Sequence, residues 1–194
     1  MNKIHIGFAV WLLLAFTLLM LPLQWIVAFI LAAGFHELCH YWAVRLCGGT
    51  VYSVTLTAVG AVMEASPQSS WKAIFCALSG PAGGLLLVLL ARWIPRIALC
   101  AGIHSAYNLL PMSGLDGGNA LRYLLELFLS PLTCEKVCRS VESILLIWLL
   151  FLGFYGTFIL QLGFLPFGIA LFMILRSGKG KFPCKERRKG LQWF

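Results

Sequence analysis

Two histidines and a glutamate in one short segment have the spacing of a metal site. The segment reads His36-Glu37-Leu38-Cys39-His40, and residues four apart lie on one face of an α-helix, about 6 Å apart along its axis. Both imidazoles can therefore bind one zinc ion, and the glutamate can accept a proton from zinc-bound water. The pattern predicts a hydrolytic zinc site with His36 and His40 as ligands and Glu37 as the general base.

A third ligand has to come from another part of the chain. The acids outside this segment are Glu64, Asp116, Glu126, Glu135, Glu142 and Glu186. We choose Asp116, because the surrounding glycines allow a backbone bend that would aim its carboxylate inward. The alternative is that Asp116 caps the helix that follows it. Glu64 is interpreted as a loop residue near the site, and the others as solvated charges, with Glu186 in a basic tail.

Two more polar residues precede Asp116. Asn108 lies eight residues before it, and its amide could orient a substrate carbonyl or stabilise an oxyanion. A hydrogen bond between helices is the alternative for this amide. His104, one helical turn earlier, is interpreted as a buried histidine with satisfied hydrogen bonds, the alternative being a partner to the metal ligands.

The composition of the chain places this chemistry in a membrane. Of 194 residues, 60% are hydrophobic and only 11% are charged, with a mean hydropathy of +0.89. A soluble domain has about 25% charged residues, so a soluble protein, a disordered chain, a collagen and a small disulfide scaffold are excluded. An ionisable residue inside a membrane helix is expensive, which singles out Glu37 and Asp116 as functional.

The uncharged stretches predict an all-α polytopic membrane protein, with one intramembrane domain over residues 1–176. We predict six spans, at about 6–21, 24–46, 71–92, 97–129 with a break near 111–118, 138–156 and 158–176. Glycines 153, 156 and 163 are expected to form the last turn. A stretch rich in Val and Thr at 50–65 predicts a small β-hairpin between the second and third spans. Residues 177–194 are predicted to be a basic tail without regular structure.

The positive charges predict the orientation of these spans. The formal net charge is +8, but the 15 Lys and Arg lie at the ends of apolar runs and in the tail, without a basic stripe that would indicate nucleic-acid binding. Six spans place thirteen of these cations on the side of the two termini and only Arg92 and Arg96 on the other. Both termini are therefore predicted to be cytoplasmic.

Three segments of the chain together resemble the signatures of site-2 proteases, which are intramembrane zinc metalloproteases. They are the HELCH segment at 36–40, the GPAGG segment at 80–84 and the NLLPMSGLDGG segment at 108–118. Read without the resemblance, the G-x3-G spacing of Gly80 and Gly84 indicates close helix packing. The similarity extends over about residues 30–125, and the last segment is the most specific.

The resemblance implies zinc bound by His36, His40 and Asp116, and a water activated by Glu37. It implies that Asn108 and Pro111 contact the substrate, and that the hairpin is membrane-associated and guides an extended substrate strand. The six spans are most similar to the sporulation branch, whose members cleave a membrane-associated pro-sigma factor in the bacterial cell membrane. Neither the CBS domain common in that branch nor the PDZ domain of other bacterial members is expected in this chain.

The residues and the resemblance together predict an intramembrane zinc endopeptidase. Its expected partners are the lipid bilayer and a membrane-anchored protein substrate, such as a pro-sigma or anti-sigma factor, with a regulatory membrane protein as a further candidate. Two other functions stay open: a membrane protein that binds zinc or a partner without catalysis, and an ion-coupled transporter with a broken helix. The spacing of the two histidines argues against the transporter.

Overall fold

The computed structural model describes residues 3–6, 21–57, 60–65, 69–177 and 191–193. Helices dominate these residues and connect through short turns, as expected for a chain whose apolar runs are interrupted by Gly and Pro. The α-helices are α1 Leu23–Leu46, α2 Ser70–Leu89, α3 Pro95–Asn108, α4 Asp116–Leu125, α5 Pro131–Phe154 and α6 Leu165–Ser177. A single π-helical turn, Tyr155–Ile159, continues α5.

Three of the described helices are long and apolar enough to cross a membrane: α1, α2, and α5 together with its π-helical turn. Helices α3 and α4 are shorter, and residues 109–115 separate them, where the sequence predicts an interrupted span. The first predicted span, at about 6–21, lies almost entirely outside the described residues. Six spans therefore remain a prediction, while the membrane character of the chain agrees with its helices.

The last two helices meet at a different place from the predicted one. The helix that begins at Pro131 runs past Gly153 and Gly156, and the chain turns only at residues 160–164, where Gly163 has a φ of 82°. A Cβ on Gly153 would lie 2.9 Å from the carbonyl oxygen of Pro166. Of the three glycines, Gly153 thus allows α5 and α6 to pack closely, and Gly163 makes the turn.

The predicted strand region forms part of a four-stranded sheet. Strand β2, Val51–Thr57, pairs antiparallel with β3, Gly60–Ala65. Strand β1, Lys3–Ile6, pairs parallel with β2, and β4, Leu191–Trp193, pairs antiparallel with β3. The strand order is β1-β2-β3-β4. The prediction of an unstructured tail is wrong for these last residues, because backbone pairing orders a segment that has no apolar periodicity of its own.

A small apolar core joins the sheet to the helices. Its buried members come from α1, the two central strands, α2 and α4, and they are Ala43, Val44, Val51, Met63, Ala73, Cys76 and Tyr123. The core follows His40 by about one helical turn on α1 and contains Cys76 of α2. The sheet therefore packs against α1, which carries both histidines, and against α2, which lies next to it.

Candidate metal centre

The two histidines lie side by side on the buried face of α1. Pro22 precedes the helix, and no further proline interrupts it through Leu46, so residues four apart share a face. His36 is 2% exposed and His40 is 1% exposed, and their Nε2 atoms are 3.1 Å apart. The spacing of the motif thus brings two imidazole nitrogens to one point inside the protein, as predicted.

Asp116 joins this pair from the start of α4. Its Oδ2 atom is 2.9 Å from Nε2 of His36 and 3.2 Å from Nε2 of His40, and the residue is 2% exposed. The N-cap position of α4 belongs to Leu115, so Asp116 does not serve as the cap. Its carboxylate contacts the two histidines, which lie 80 and 76 residues earlier in the chain. Together the three residues form a group that could hold a metal ion.

The geometry and donor atoms of this group fit zinc. Nitrogen and oxygen ligands at about 2.0 to 2.2 Å from a tetrahedral zinc are about 3.3 to 3.5 Å from one another. The three observed separations, 2.9, 3.1 and 3.2 Å, fall a few tenths of an ångström short of that spacing. Two histidines and one carboxylate also leave the fourth position open, which is typical of catalytic zinc rather than structural zinc.

The backbone of α2 fixes the orientation of the His40 ring. The Nδ1–H of His40 donates to the carbonyl oxygen of Cys76 at 2.8 Å. The Ser79 hydroxyl lies 3.3 Å from the same Nδ1 and donates to the same carbonyl at 2.7 Å. A histidine whose Nδ1 carries the proton presents its Nε2 lone pair to a metal. His36 differs, because its buried Nδ1 has no hydrogen-bond partner among the described residues.

Gly80 of α2 faces the two histidines at very short range. A Cβ at this position would lie 2.1 Å from Nε2 of His40 and 2.7 Å from Nε2 of His36. Any larger residue would therefore occupy the space between the ligands. The sequence alone indicated helix packing for Gly80 and Gly84. This interpretation holds for Gly84, which lies against Ser105 of α3, but Gly80 provides the room for the site.

Two glycines after Asp116 permit the chain to fold back on itself. A Cβ on Gly117 would lie 2.1 Å from the carbonyl oxygen of Leu109, and a Cβ on Gly118 would lie 1.9 Å from that of Met112. The sequence predicted that these glycines serve a backbone bend. In the structure they let the loop carbonyls lie directly against the first turn of α4, where a side chain would leave no space. This contact places Asp116 at the helix start.

The other predicted site residues are not members of the group formed by His36, His40 and Asp116. Glu37 is half-buried and follows His36 on α1. The His104 ring packs edge-on against His36 with centroids 4.6 Å apart, and Asn108 donates through its amide to the His104 carbonyl oxygen at 3.1 Å. This bond lies within α3 and is not the interhelical bond considered as an alternative. Pro111 is half-buried in the loop before Asp116.

The sequence-based prediction of a solvated charge is wrong for Glu142. Glu142 was interpreted as a solvated charge, but it is only 6% exposed, and its Oε1 accepts a hydrogen bond from the Ser113 amide at 3.1 Å. Glu135, on the same helix, behaves as predicted: it is partly exposed and pairs with Arg139 at 2.7 Å. The neighbouring charges of this segment conceal Glu142, because only the packing shows which of them faces inward.

The fold has a counterpart among solved structures. It superposes on a structure described as "Site-2 Protease from Methanocaldococcus jannaschii" with a TM-score of 0.65, at 17% sequence identity, over 91% of this chain and 89% of that chain. No protein-family model and no curated protein matches the sequence. At this identity the likeness concerns the fold, and it confirms at that level the resemblance based on three short segments.

Proposed function

We propose that the chain is an intramembrane zinc endopeptidase that hydrolyses peptide bonds of membrane-anchored proteins. The observation that carries this proposal is the meeting of His36, His40 and Asp116 at one buried point, beside a glycine that leaves room for an ion. The site-2 protease fold supports it. The helices suited to a membrane support the location of the reaction.

Each residue has a part in the proposed hydrolysis. His36, His40 and Asp116 would hold zinc, which when bound polarises a peptide carbonyl and acidifies a coordinated water. Glu37, on the same helix, takes the proton of the attacking water on its carboxylate and returns it to the leaving amide nitrogen. Asn108 holds the substrate carbonyl or the oxyanion through its amide, and Pro111 lines the substrate path.

The substrate is proposed to bind in an extended form. A helix conceals its carbonyl groups, whereas a strand that pairs with a sheet edge exposes every second side chain and the peptide bonds between them. Among the described residues, β4 pairs with β3 over Met63–Ala65, so we propose Gly60–Val62 as a backbone edge for a substrate. The pairing would present the adjacent residues of the substrate to the metal centre.

We further propose a bacterial cell-membrane protein with both termini in the cytoplasm. The distribution of cations supports this orientation. A pro-sigma or anti-sigma factor anchored in the membrane is the proposed substrate class, with a role in sporulation and a regulatory membrane protein as the corresponding biology. The substrate class, the role in sporulation and the regulator derive from the sequence resemblance.

Glu37→Gln is the decisive test of the enzymatic proposal. Purified protein in detergent, loaded with zinc, is incubated with single-span model substrates, and cleavage is followed by gel and mass spectrometry. Removing a general base costs about a hundred- to ten-thousandfold in rate, and we expect this loss with the zinc content unchanged. Equal cleavage by the variant, or bound zinc with no cleavage of any substrate by the wild type, would refute the protease and favour a binding protein.

Asp116→Ala tests the third ligand. Zinc content, measured by atomic emission after gel filtration, should fall well below one per chain, because two histidines alone leave the ion with too few ligands. Glu135→Ala is the matched control, since Glu135 is an acid whose only described ion pair is with Arg139 on the surface of α5. Retention of a full zinc ion by Asp116→Ala would show that another group completes the site.

A further inference from the structure

Charged side chains of α5 and α6 hold the loop that leads into Asp116. The loop comprises residues 109–115, and we call it the Asp116 loop. Glu142 of α5 accepts the Ser113 amide at 3.1 Å, and Arg176 of α6 donates from Nη2 to the Gly114 carbonyl oxygen at 3.1 Å. Arg176 also donates to the Tyr107 hydroxyl. Two adjacent loop residues are therefore held by side chains of two neighbouring helices, α5 and α6.

The loop needs these partners because it separates α3 from α4 and packs among helices suited to a membrane. Backbone groups outside a helix cannot remain unpaired in lipid. The loop satisfies some of them itself, since the Met112 amide bonds to the Leu110 carbonyl at 2.8 Å and the Leu115 amide to the Met112 carbonyl at 3.2 Å. The Ser113 amide and the Gly114 carbonyl find partners in Glu142 and Arg176 instead.

Apolar contacts bind the same loop to the same two helices. Met112 and Leu115 are buried beside Met173 of α6, and the leucines at 145, 146 and 149 of α5 pack against them. Met112 and Leu115 thus make apolar contacts to the two helices, and Ser113 and Gly114 between them make hydrogen bonds to the same helices. Asp116 follows directly after Leu115, so the contacts of the loop with α5 and α6 help to set the position of its carboxylate.

We infer that Glu142 and Arg176 are positioning residues for the metal centre, which act on Asp116 through the backbone of the Asp116 loop. This inference rests on the proposed function, because it requires that Asp116 bind a metal. The burial of Glu142 supports it, since a carboxylate buried in an apolar helix is retained only where a specific partner compensates its lost hydration. Outer-shell partners of metal ligands typically contribute about ten- to a hundredfold in metal affinity.

The test measures zinc affinity, by competition with a chromogenic chelator in detergent, and the visible spectrum of the cobalt-substituted protein. We expect Glu142→Ala to weaken zinc binding about ten- to a hundredfold and to change the cobalt spectrum. Glu142→Gln, whose amide oxygen can still accept from Ser113, should recover most of the affinity. Glu135→Ala, the surface control on the same helix, should match the wild type.

Arg176 provides the second pair of variants. Arg176→Ala should weaken zinc binding in the same direction, and Arg176→Lys, which keeps a donor for the Gly114 carbonyl, should lose less. This pair decides the question if Glu142→Ala does not yield a monodisperse protein. Folded alanine variants with wild-type zinc affinity and an unchanged cobalt spectrum would overturn the inference. A wild type that binds no zinc would instead refute the proposed function itself.

Discussion

The helices that carry the metal ligands and the last two helices are built differently. Where α1, α2 and α3 meet, the buried residues are mostly small, with Ala32 and Ala43 on α1, Ala77 and Gly84 on α2, and Ala101 on α3. Helices α5 and α6, which we call the C-terminal pair, bury few residues and expose large apolar ones such as Trp148, Phe151 and Phe172.

The difference shows two ways to hold a site inside a membrane. Small residues let helix backbones approach closely, and packing then sets the ligand positions directly. Among the described residues, the C-terminal pair contacts the region of the site through Tyr107 of α3, the Asp116 loop and α4, by hydrogen bonds and apolar contacts. Substitutions that add one methyl group should therefore be most harmful in the first region and, away from the close contact at Gly153, well tolerated in the second.

Gly80→Ala should have the largest effect of such a substitution. Its Cβ would lie 2.1 Å from Nε2 of His40, so the His40 side chain has to move. We therefore expect zinc affinity to fall by more than about a hundredfold, which exceeds the loss typical for residues that only contact a metal ligand. Chelator competition measures it. Gly34→Ala on α1 is the control, because a Cβ at that position meets nothing within 4 Å. Tight zinc binding by Gly80→Ala would show that packing does not set the ligand positions.

Gly84→Ala should affect stability more than zinc. The new Cβ would lie 2.0 Å from Oγ of Ser105, which is fully buried and lacks a hydrogen-bond partner among the described residues. Overpacking of this kind costs about 1 to 3 kcal/mol, measurable as a lower midpoint of thermal unfolding in detergent. The double variant Gly84→Ala/Ser105→Ala removes the clashing oxygen and should recover most of the loss. If it does not, the contact between α2 and α3 is not the cause.

Gly168→Ala should have the smallest effect. This glycine lies near the start of α6, is exposed, and a Cβ there meets nothing within 4 Å. Alanine is favoured over glycine inside a helix by about 0.5 to 1 kcal/mol, so the unfolding midpoint should stay the same or rise slightly, with zinc affinity unchanged. A drop in zinc affinity would mean that α6 is coupled to the site more tightly than its contacts indicate.

Much of the metal centre could be predicted from the sequence because its determinants are local. The four-residue spacing of His36 and His40 sets their common face in any helix. Asp116 could be chosen among the acids because glycines surround it within a broken apolar run. Glu142 could not, since it lies near Glu135 in a charged segment and only three-dimensional packing distinguishes the buried acid from the exposed one.

The sequence by itself predicted the membrane character of the chain, the described helices and the three residues of the candidate metal centre, because hydrophobicity and helical spacing are properties of neighbouring residues. The tertiary structure decided that Gly80 opens the space between the two histidines, that Glu142 and Arg176 hold the Asp116 loop, and that β1 and β4 complete a sheet with the central strands. These contacts join residues far apart in the chain, and their geometry depends on how closely the helices pack.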